Sequence, residues 1–295
     1  MTTLSYYDKG RVRSRDWKKP ELFEVFRKRI GWGGEPGQLT GPLIREGYAK
    51  NGTVRLHYTE SAPDTPSRLT PLVYIHGAYG STEGFLPEME ALAPRRCISV
   101  RLRGRGQSDI PESGYTFNDN VSDIEALVDH LRLTNFCLMG WSMGVPYSIG
   151  FASRHPEKLS GLILLDYQAR HPKYSAGWAE RWASDPSIMD RPDRITALRG
   201  LEKESSEVLL WENLDRIDCP VLVIGGGQPD ALLKREHVDK YHQHLPNLEV
   251  IIFSDSGHNV SQPDFGRFIT ALRAFLGRID QTGAGNRKRS SSATV

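Results

Sequence analysis

The chain carries one serine whose neighbours are typical of a nucleophile. Residues 140–144 read Gly-Trp-Ser-Met-Gly, which fits the pattern G-x-S-x-G around Ser142. In this pattern the serine occupies a strained turn between a strand and a helix, and small residues on either side leave room for that turn. A strand pattern at 136–139 precedes Ser142 and a helical pattern follows it. We therefore predict that Ser142 is a catalytic nucleophile rather than a structural serine.

A serine hydroxyl is a weak nucleophile, so the chain must also supply a base. His258 is our candidate, because it follows the last strand pattern, at 250–253, and the carboxyl ends of parallel strands present ligand-facing loops. The base in turn needs a carboxylate that fixes its tautomer and stabilises the imidazolium ion. We expect Asp230 in this role, because the strand before it immediately precedes the strand that leads to His258. Asp166, which ends another strand pattern, is the alternative acid.

Attack on a carbonyl carbon creates an oxyanion, which preorganised backbone N–H groups can stabilise. Met143, directly after the predicted nucleophile, is expected to supply one of these donors. The other should come from the loop after the strand pattern at 72–75, and we assign it to Ala78. His76 in the same loop is expected to be a turn residue without an acid–base role.

The elements that would position these residues alternate along the chain. Strand patterns occur at 72–75, 97–102, 136–139, 159–165, 221–224 and 250–253. Helical patterns occur at 82–92, 118–131, 142–155, 232–244 and 262–276. Before them, Asn51 and Gly52 tolerate positive φ and separate two strand patterns, which predicts an antiparallel hairpin. The alternation predicts an α/β fold with a mostly parallel central sheet and helices on both faces.

One long stretch interrupts this alternation. Residues 166–220 contain no strand pattern, and a connection of this length is unusual unless it forms a unit of its own. We expect an inserted helical cap at 167–215. The core would then comprise 41–166 and 216–279, with an N-terminal extension at 1–40 and a disordered tail at 280–295.

The composition is that of a soluble globular protein, with 38% hydrophobic and 25% charged residues. Positive charge is in excess at the two ends of the chain, whereas a nucleic-acid-binding domain would concentrate it on the folded body. No apolar run approaches the roughly 18 residues of a membrane span, and residues 1–20 lack the apolar stretch of a secretory signal. The spacing of Cys97, Cys137 and Cys219 matches no zinc or redox motif. We therefore expect a cytoplasmic protein with no metal and no nucleic-acid or membrane partner.

Six segments, taken in chain order, resemble the α/β-hydrolase superfamily. Those at 76–81, 102–109, 140–144, 211–220, 226–230 and 257–259 are similar to its oxyanion loop, arginine-glycine loop, nucleophile elbow, entry to the penultimate strand, acid loop and histidine turn. The resemblance covers about 43–277 and implies the α/β-hydrolase fold, a helical cap and a Ser-Asp-His triad. Many members carry histidine where Arg105 stands, and histidine is commoner where Trp141 stands.

The resemblance and the serine together imply a serine hydrolase that uses an acyl-enzyme intermediate. Haloalkane dehalogenases and epoxide hydrolases of the superfamily carry aspartate at the elbow, so Ser142 argues against both. We expect a small, apolar carboxylic ester or lactone as substrate. C–C bond hydrolysis, or other carbonyl-directed chemistry on the same triad, is the first alternative. Ligand binding without turnover, and lyase or cofactor-free oxygenase chemistry with His258 as base, also stay open.

The residues that select the substrate should be aromatic side chains near the nucleophile and in the cap. The candidates are Trp141, Tyr79, Tyr167, Trp178 and Trp182. Packing of the cap against the core is the alternative role for each of them. No phosphate loop, dinucleotide fingerprint or metal-ligand cluster occurs, so we expect no cofactor. The only partner that the sequence predicts is a small-molecule substrate.

Overall fold

The computed structural model describes residues 44–61, 67–79, 85–183 and 193–291, with side chains up to residue 282. The predicted N-terminal extension, residues 1–40, and the last residues of the predicted tail, 292–295, lie outside these ranges.

A central sheet organises the described residues. Its strands are β1 (Ile44–Asn51), β2 (Val54–Ser61), β3 (Leu72–Ile75), β4 (Cys97–Val100), β5 (Phe136–Trp141), β6 (Leu159–Leu165), β9 (Val221–Gly226) and β10 (Leu248–Phe253). A separate two-stranded sheet contains β7 (Arg170–His171) and β8 (Val208–Leu209). The order in the large sheet is β1-β2-β4-β3-β5-β6-β9-β10, antiparallel from β1 to β4 and parallel from there to β10. The mostly parallel sheet and the hairpin at its edge are as predicted.

Helices cover both faces of this sheet. They are α1 (Leu86–Ala91), α2 (Phe117–His130), α3 (Gly144–Arg154), α4 (Trp178–Ala183), α5 (Arg194–Glu204), α6 (Arg235–His244) and α7 (Phe265–Ser291). Alternate residues of a strand point to opposite faces. Accordingly, Leu162 and Leu164 of β6 belong to one buried cluster with α2 and α3, whereas Ile163 belongs to the other cluster with α1 and α7. The α/β fold class is confirmed.

Local sequence explains why α2 begins where it does. Thr116 caps the helix, because its hydroxyl accepts the backbone N–H of Asp119 at 3.2 Å and the Asp119 carboxylate accepts the backbone N–H of Thr116 at 3.0 Å. This reciprocal arrangement satisfies two N–H groups that the helix itself cannot pair. The apolar face then packs into the core, where the helix contacts β1 and α3.

The stretch predicted as a cap, residues 167–215, contains more than helices. Helices α4 and α5 pack against each other, and β7 pairs with β8 in an antiparallel ladder. No strand was predicted here, because strands of two residues are too short to show a period.

The predicted disorder from residue 280 is wrong at its start, since α7 continues to Ser291. Ile279 is buried, and Asp280 forms an ion pair with the buried Arg95 at 2.8 Å. The same carboxylate accepts the backbone N–H of Thr70 at 2.7 Å. These contacts tie the helix to the core beyond the end of its predicted apolar pattern.

Within the described ranges, no helix combines the length and apolar character that a membrane crossing requires.

Candidate active site

The turn that carries Ser142 is sterically tight, as the sequence pattern predicted. Ser142 follows β5, precedes α3 and has a φ of 54°, a left-handed conformation that a residue with a side chain rarely adopts. A Cβ atom on Gly140 would overlap the carbonyl oxygen of Gly144, and one on Gly144 would overlap that of Ile75. Only glycine fits at both positions, and the serine is held at the end of its strand.

Ser142 and His258 lie within hydrogen-bonding distance of each other. The serine Oγ is 3.0 Å from Nε2 of the imidazole. The other ring nitrogen, Nδ1, is 2.8 Å from Oδ2 of Asp166. The carboxylate therefore fixes the tautomer in which Nδ1 carries the proton and Nε2 can accept the serine proton.

Asp166 is held in place by the main chain. It directly follows β6, has a φ of 47° and is fully buried. Its Oδ1 accepts the N–H groups of Gly226 at 3.2 Å and Leu233 at 3.3 Å, and its Oδ2 accepts that of Leu232 at 2.8 Å. These three donors engage both oxygens of the side chain. A carboxylate in this setting is oriented towards His258 before any substrate binds.

The structure corrects the expectation that Asp230 pairs with the imidazole. Asp230 is exposed, and its Oδ2 accepts the backbone N–H of His258 at 3.3 Å rather than a proton of the ring. Asp166 occupies the position at Nδ1 because β6 lies next to β5 in the sheet and Asp166 is the first residue after β6. Asp230 instead follows a loop beyond the end of β9. The sheet order, which the sequence did not supply, decides between them.

The loop after β3 passes close to the nucleophile. A Cβ atom on Gly77 would lie 3.1 Å from Cβ of Ser142. Among the residues that the structure describes, the backbone N–H groups of Ala78 and Met143 donate to no backbone carbonyl. Their role in binding an oxyanion stays a prediction.

His76 anchors this loop and is itself a structural residue. Its Nδ1–H donates to the carbonyl of Gly77 at 2.6 Å, and its Nε2 accepts the backbone N–H of Leu102 at 3.2 Å. Burial, together with the positive charge of Arg105, lowers the pKa of His76 to about 3. The ring is uncharged near neutral pH and joins the loop to the end of β4.

Trp141 packs directly against His258. Its ring stacks on the His258 imidazole with centroids 5.2 Å apart and an interplanar angle of 28°. Its Nε1–H donates to the His258 carbonyl at 3.1 Å. Trp141, predicted to contact substrate, therefore also holds His258 in position.

The other aromatic residues predicted to select the substrate form contacts between the core and residues 167–215. Tyr79, beside Ala78, stacks on Trp178 with ring centroids 5.6 Å apart and contacts Trp182 at 4.9 Å. Trp178 in turn stacks on Tyr174 at 4.0 Å. Tyr167 packs against the main core cluster, and its carbonyl accepts the Tyr241 hydroxyl at 3.1 Å.

The sequence did not predict that Tyr147 and His171 lie in contact with each other. The Tyr147 hydroxyl lies 3.3 Å from Nε2 of His171, whose Nδ1–H donates to the carbonyl of Ser206 at 2.9 Å. His171 is fully buried, and burial lowers its pKa, so its Nε2 is an acceptor for the Tyr147 hydroxyl. The pair joins α3 to β7, a contact between elements distant in sequence.

Comparison with known proteins agrees with this fold. The family model described as alpha/beta hydrolase fold matches residues 70–194. The chain is 25% identical over 272 residues to a protein of Bacillus subtilis (strain 168) named putative 2-succinyl-6-hydroxy-2,4-cyclohexadiene-1-carboxylate synthase, a match that covers 74% of this chain and 97% of that protein. It is 27% identical over 227 residues to the AB hydrolase superfamily protein YisY of the same organism, with 64% of this chain and 84% of that protein covered.

Solved structures show the same fold. Esterase RhEst1 from Rhodococcus sp. ECU1013 superposes with a TM-score of 0.64 at 24% identity, covering 80% of this chain and 99% of that one. The enol-lactonase from Burkholderia xenovorans LB400 superposes with a TM-score of 0.64 at 19% identity, covering 78% and 100%. The chain therefore has the α/β-hydrolase fold, and its sequence is similar to that of a protein named as a member of the AB hydrolase superfamily.

Proposed function

We propose that the protein is a serine hydrolase that cleaves a small carboxylic ester or lactone through an acyl-enzyme intermediate. The observation that carries this proposal is the continuous chain of hydrogen bonds from the Ser142 hydroxyl through His258 to Asp166, with distances of 3.0 and 2.8 Å. Such a chain gives a serine hydroxyl the base and the oriented acid that nucleophilic catalysis requires.

In the first half of the reaction, Ser142 Oγ attacks the substrate carbonyl carbon while His258 Nε2 takes the serine proton. Asp166 stabilises the imidazolium ion that results. The carbonyl oxygen becomes an oxyanion, which the N–H groups of Ala78 and Met143 stabilise, each contributing roughly 3 kcal/mol by analogy with single oxyanion-hole donors. The imidazolium then donates its proton to the departing alkoxide oxygen, or to the ring oxygen of a lactone, and the acyl-enzyme forms.

In the second half, a water molecule takes the place of the alcohol. His258 removes a proton from the water as it attacks the acyl carbon, and the same oxyanion donors stabilise the second tetrahedral intermediate. Collapse of that intermediate returns the proton to Ser142 and releases the carboxylic acid. The reaction consumes one water molecule and leaves the enzyme unchanged.

The names of the compared proteins support carbonyl-directed chemistry of this general kind. They include an esterase, an enol-lactonase and a cis-3-alkyl-4-alkyloxetan-2-one decarboxylase, the last at 23% identity over 289 residues. The shared feature of these names is an ester or lactone carbonyl. They do not agree on one substrate, and they support the type of bond cleaved only.

A fluorophosphonate probe tests the nucleophile directly, because it reacts with serines that a neighbouring base activates. We expect the probe to label the wild type and Ser175→Ala, whose serine is exposed, and not to label Ser142→Ala. A panel of nitrophenyl esters, lactones and thioesters should then lose turnover with the same variant. Turnover that persists in Ser142→Ala would overturn the proposal and favour chemistry in which His258 acts alone.

A further inference from the structure

Arg105 is a buried cation beside the proposed oxyanion loop. It follows β4, and only 3% of its surface is exposed. Its Nε–H donates to the carbonyl of Ala78 at 3.2 Å. The guanidinium group is therefore hydrogen-bonded to the same residue, Ala78, whose N–H group we assign to the oxyanion.

The hydrogen-bond acceptors around Arg105 are all neutral. Besides Ala78, its Nη1 donates to the carbonyl of Arg103 at 2.7 Å and to the side-chain oxygen of Asn120 at 3.0 Å. The Tyr147 hydroxyl also contacts the guanidinium. A guanidinium carries five N–H donors, so these four acceptors leave at least one donor without an acceptor among the described residues.

The charge of Arg105 is likewise not compensated by a carboxylate in the described part of the chain. The nearby buried carboxylate, Asp123, is already paired with Arg103, with Nη2 of that arginine at 2.6 Å and Nε at 3.0 Å. Arg103 also lies 3.5 Å from the partly exposed Asp119. No described aspartate or glutamate forms an ion pair with Arg105 itself. Burying a cation without a counter-ion is costly, and functional sites are where such a cost is retained.

Three tyrosine side chains lie near the guanidinium, two from the core and one from residues 167–215. The positive charge of Arg105 acts on Tyr79 beside the oxyanion loop, on Tyr147 and on Tyr174. Burial raises the pKa of each of these phenols, so they stay uncharged and do not neutralise the cation. An anionic group that reached the guanidinium would meet a cation of fixed position with uncharged phenols beside it.

We propose that Arg105 binds a carboxylate group of the substrate, so that the substrate is a carboxylic ester or lactone that also bears a free carboxylate near its scissile carbonyl. The proposal rests on the hydrolase function argued above. A single uncompensated positive charge with one free donor matches a monoanionic carboxylate better than a phosphate, which carries more charge and needs more donors. The sequence predicted an apolar ester or lactone. The position of Arg105 favours instead an ester or lactone that carries one carboxylate.

Matched pairs of esters test this assignment. The monoethyl and diethyl esters of malonate, succinate, glutarate and adipate differ only in whether the second carboxyl group is free, and the series samples its distance from the reacting carbonyl. We expect the wild type to prefer the monoester by at least tenfold in kcat/KM at one of these lengths, since only the free carboxylate can accept a hydrogen bond from the guanidinium as an ion pair. A preference for the diester at all four lengths would overturn the assignment.

The variant Arg105→Met removes the charge and keeps much of the side-chain length. Because Arg105 also holds the Ala78 carbonyl, this variant is expected to slow both esters, and the informative quantity is the ratio between them. We expect the monoester preference to disappear in Arg105→Met, to persist in part in Arg105→Lys, and to be unchanged in the control Arg199→Met, whose arginine is exposed. An unchanged ratio in Arg105→Met would refute carboxylate binding there.

Binding to Ser142→Ala separates this inference from the proposed function. Calorimetric titration with monoethyl and diethyl esters of the preferred length needs no turnover. Tighter binding of the monoester that is lost on adding Arg105→Met would support the carboxylate site even if the wild type hydrolysed no ester. Hydrolysis of both esters by the wild type without any difference in their binding would refute the site and leave the hydrolase proposal standing.

Discussion

Replacing Asp166 by asparagine should abolish most of the activity, because the carboxylate sets the tautomer of His258. Oδ2 of Asp166 lies 2.8 Å from Nδ1, and the carboxylate is fully buried whereas the imidazole is partly exposed. An asparagine that donates an N–H to Nδ1 would leave the proton on Nε2, which could then no longer accept the proton of Ser142. In a serine triad this change lowers kcat by about 10⁴-fold, equivalent to roughly 5.5 kcal/mol of transition-state stabilisation.

The matched control is Asp230→Asn at the position that the sequence favoured. The Asp230 side chain is exposed and only accepts a backbone N–H of His258, at 3.3 Å, which an asparagine oxygen can also do. We therefore expect kcat to change by less than about threefold, as is usual for an exposed hydrogen bond that is replaced rather than removed. Both variants are assayed on the nitrophenyl ester that the wild type turns over fastest.

A folding measurement accompanies the kinetics, because Asp166 also accepts backbone N–H groups of Gly226, Leu232 and Leu233. Denaturant unfolding should show Asp166→Asn to be less stable but still folded at the assay temperature. Loss of activity in Asp230→Asn comparable to that in Asp166→Asn, with both proteins folded, would refute the reasoning about the acid.

Three further changes test other parts of the structure. Burial lowers the pKa of His76 to about 3 in the folded protein, below the unfolded value near 6.5. The free energy of unfolding should therefore fall as the pH drops from about 6.5 to about 3. In denaturant titrations, His76→Gln should reduce this dependence on pH by up to about 1.4 kcal/mol per pH unit. A slope identical to the wild type would contradict the burial of a neutral ring. Gly144→Ala should destabilise the fold and reduce probe labelling, because its Cβ would overlap the Ile75 carbonyl; a wild-type melting temperature would disprove this steric argument. Asp280→Ala leaves the buried Arg95 without its ion pair and should cost about 3–5 kcal/mol of unfolding free energy, and a loss below 1 kcal/mol would show that the helix end contributes little.

The predictions that succeeded rest on local chemistry. Glycines two positions on either side of Ser142 are a steric requirement of the turn itself, so the sequence alone indicates both the turn and the strand and helix that flank it. His258 was found because it directly follows a recognisable strand. The parallel sheet followed from the alternation of short apolar strands with amphipathic helices.

The predictions that failed depend on distances between elements far apart in the chain. The choice between Asp166 and Asp230 required knowing that β6 lies beside β5 and that the loop after β9 turns its carboxylate to the main chain of His258. A positive φ at Asp166 has no signature in a single sequence. The charge balance around Arg105 could not be predicted either, because it depends on which arginine Asp123 pairs with.

The central claim is that Ser142 becomes acylated during turnover. Acid-quenched reactions with the best nitrophenyl ester can be measured by intact-protein mass spectrometry, followed by peptide mapping. We predict a mass increase equal to the acyl group, located on the peptide containing Ser142, larger in amount when deacylation is slow and missing in Ser142→Ala. An acyl adduct on another residue, or ester turnover by Ser142→Ala at the wild-type rate, would contradict the account.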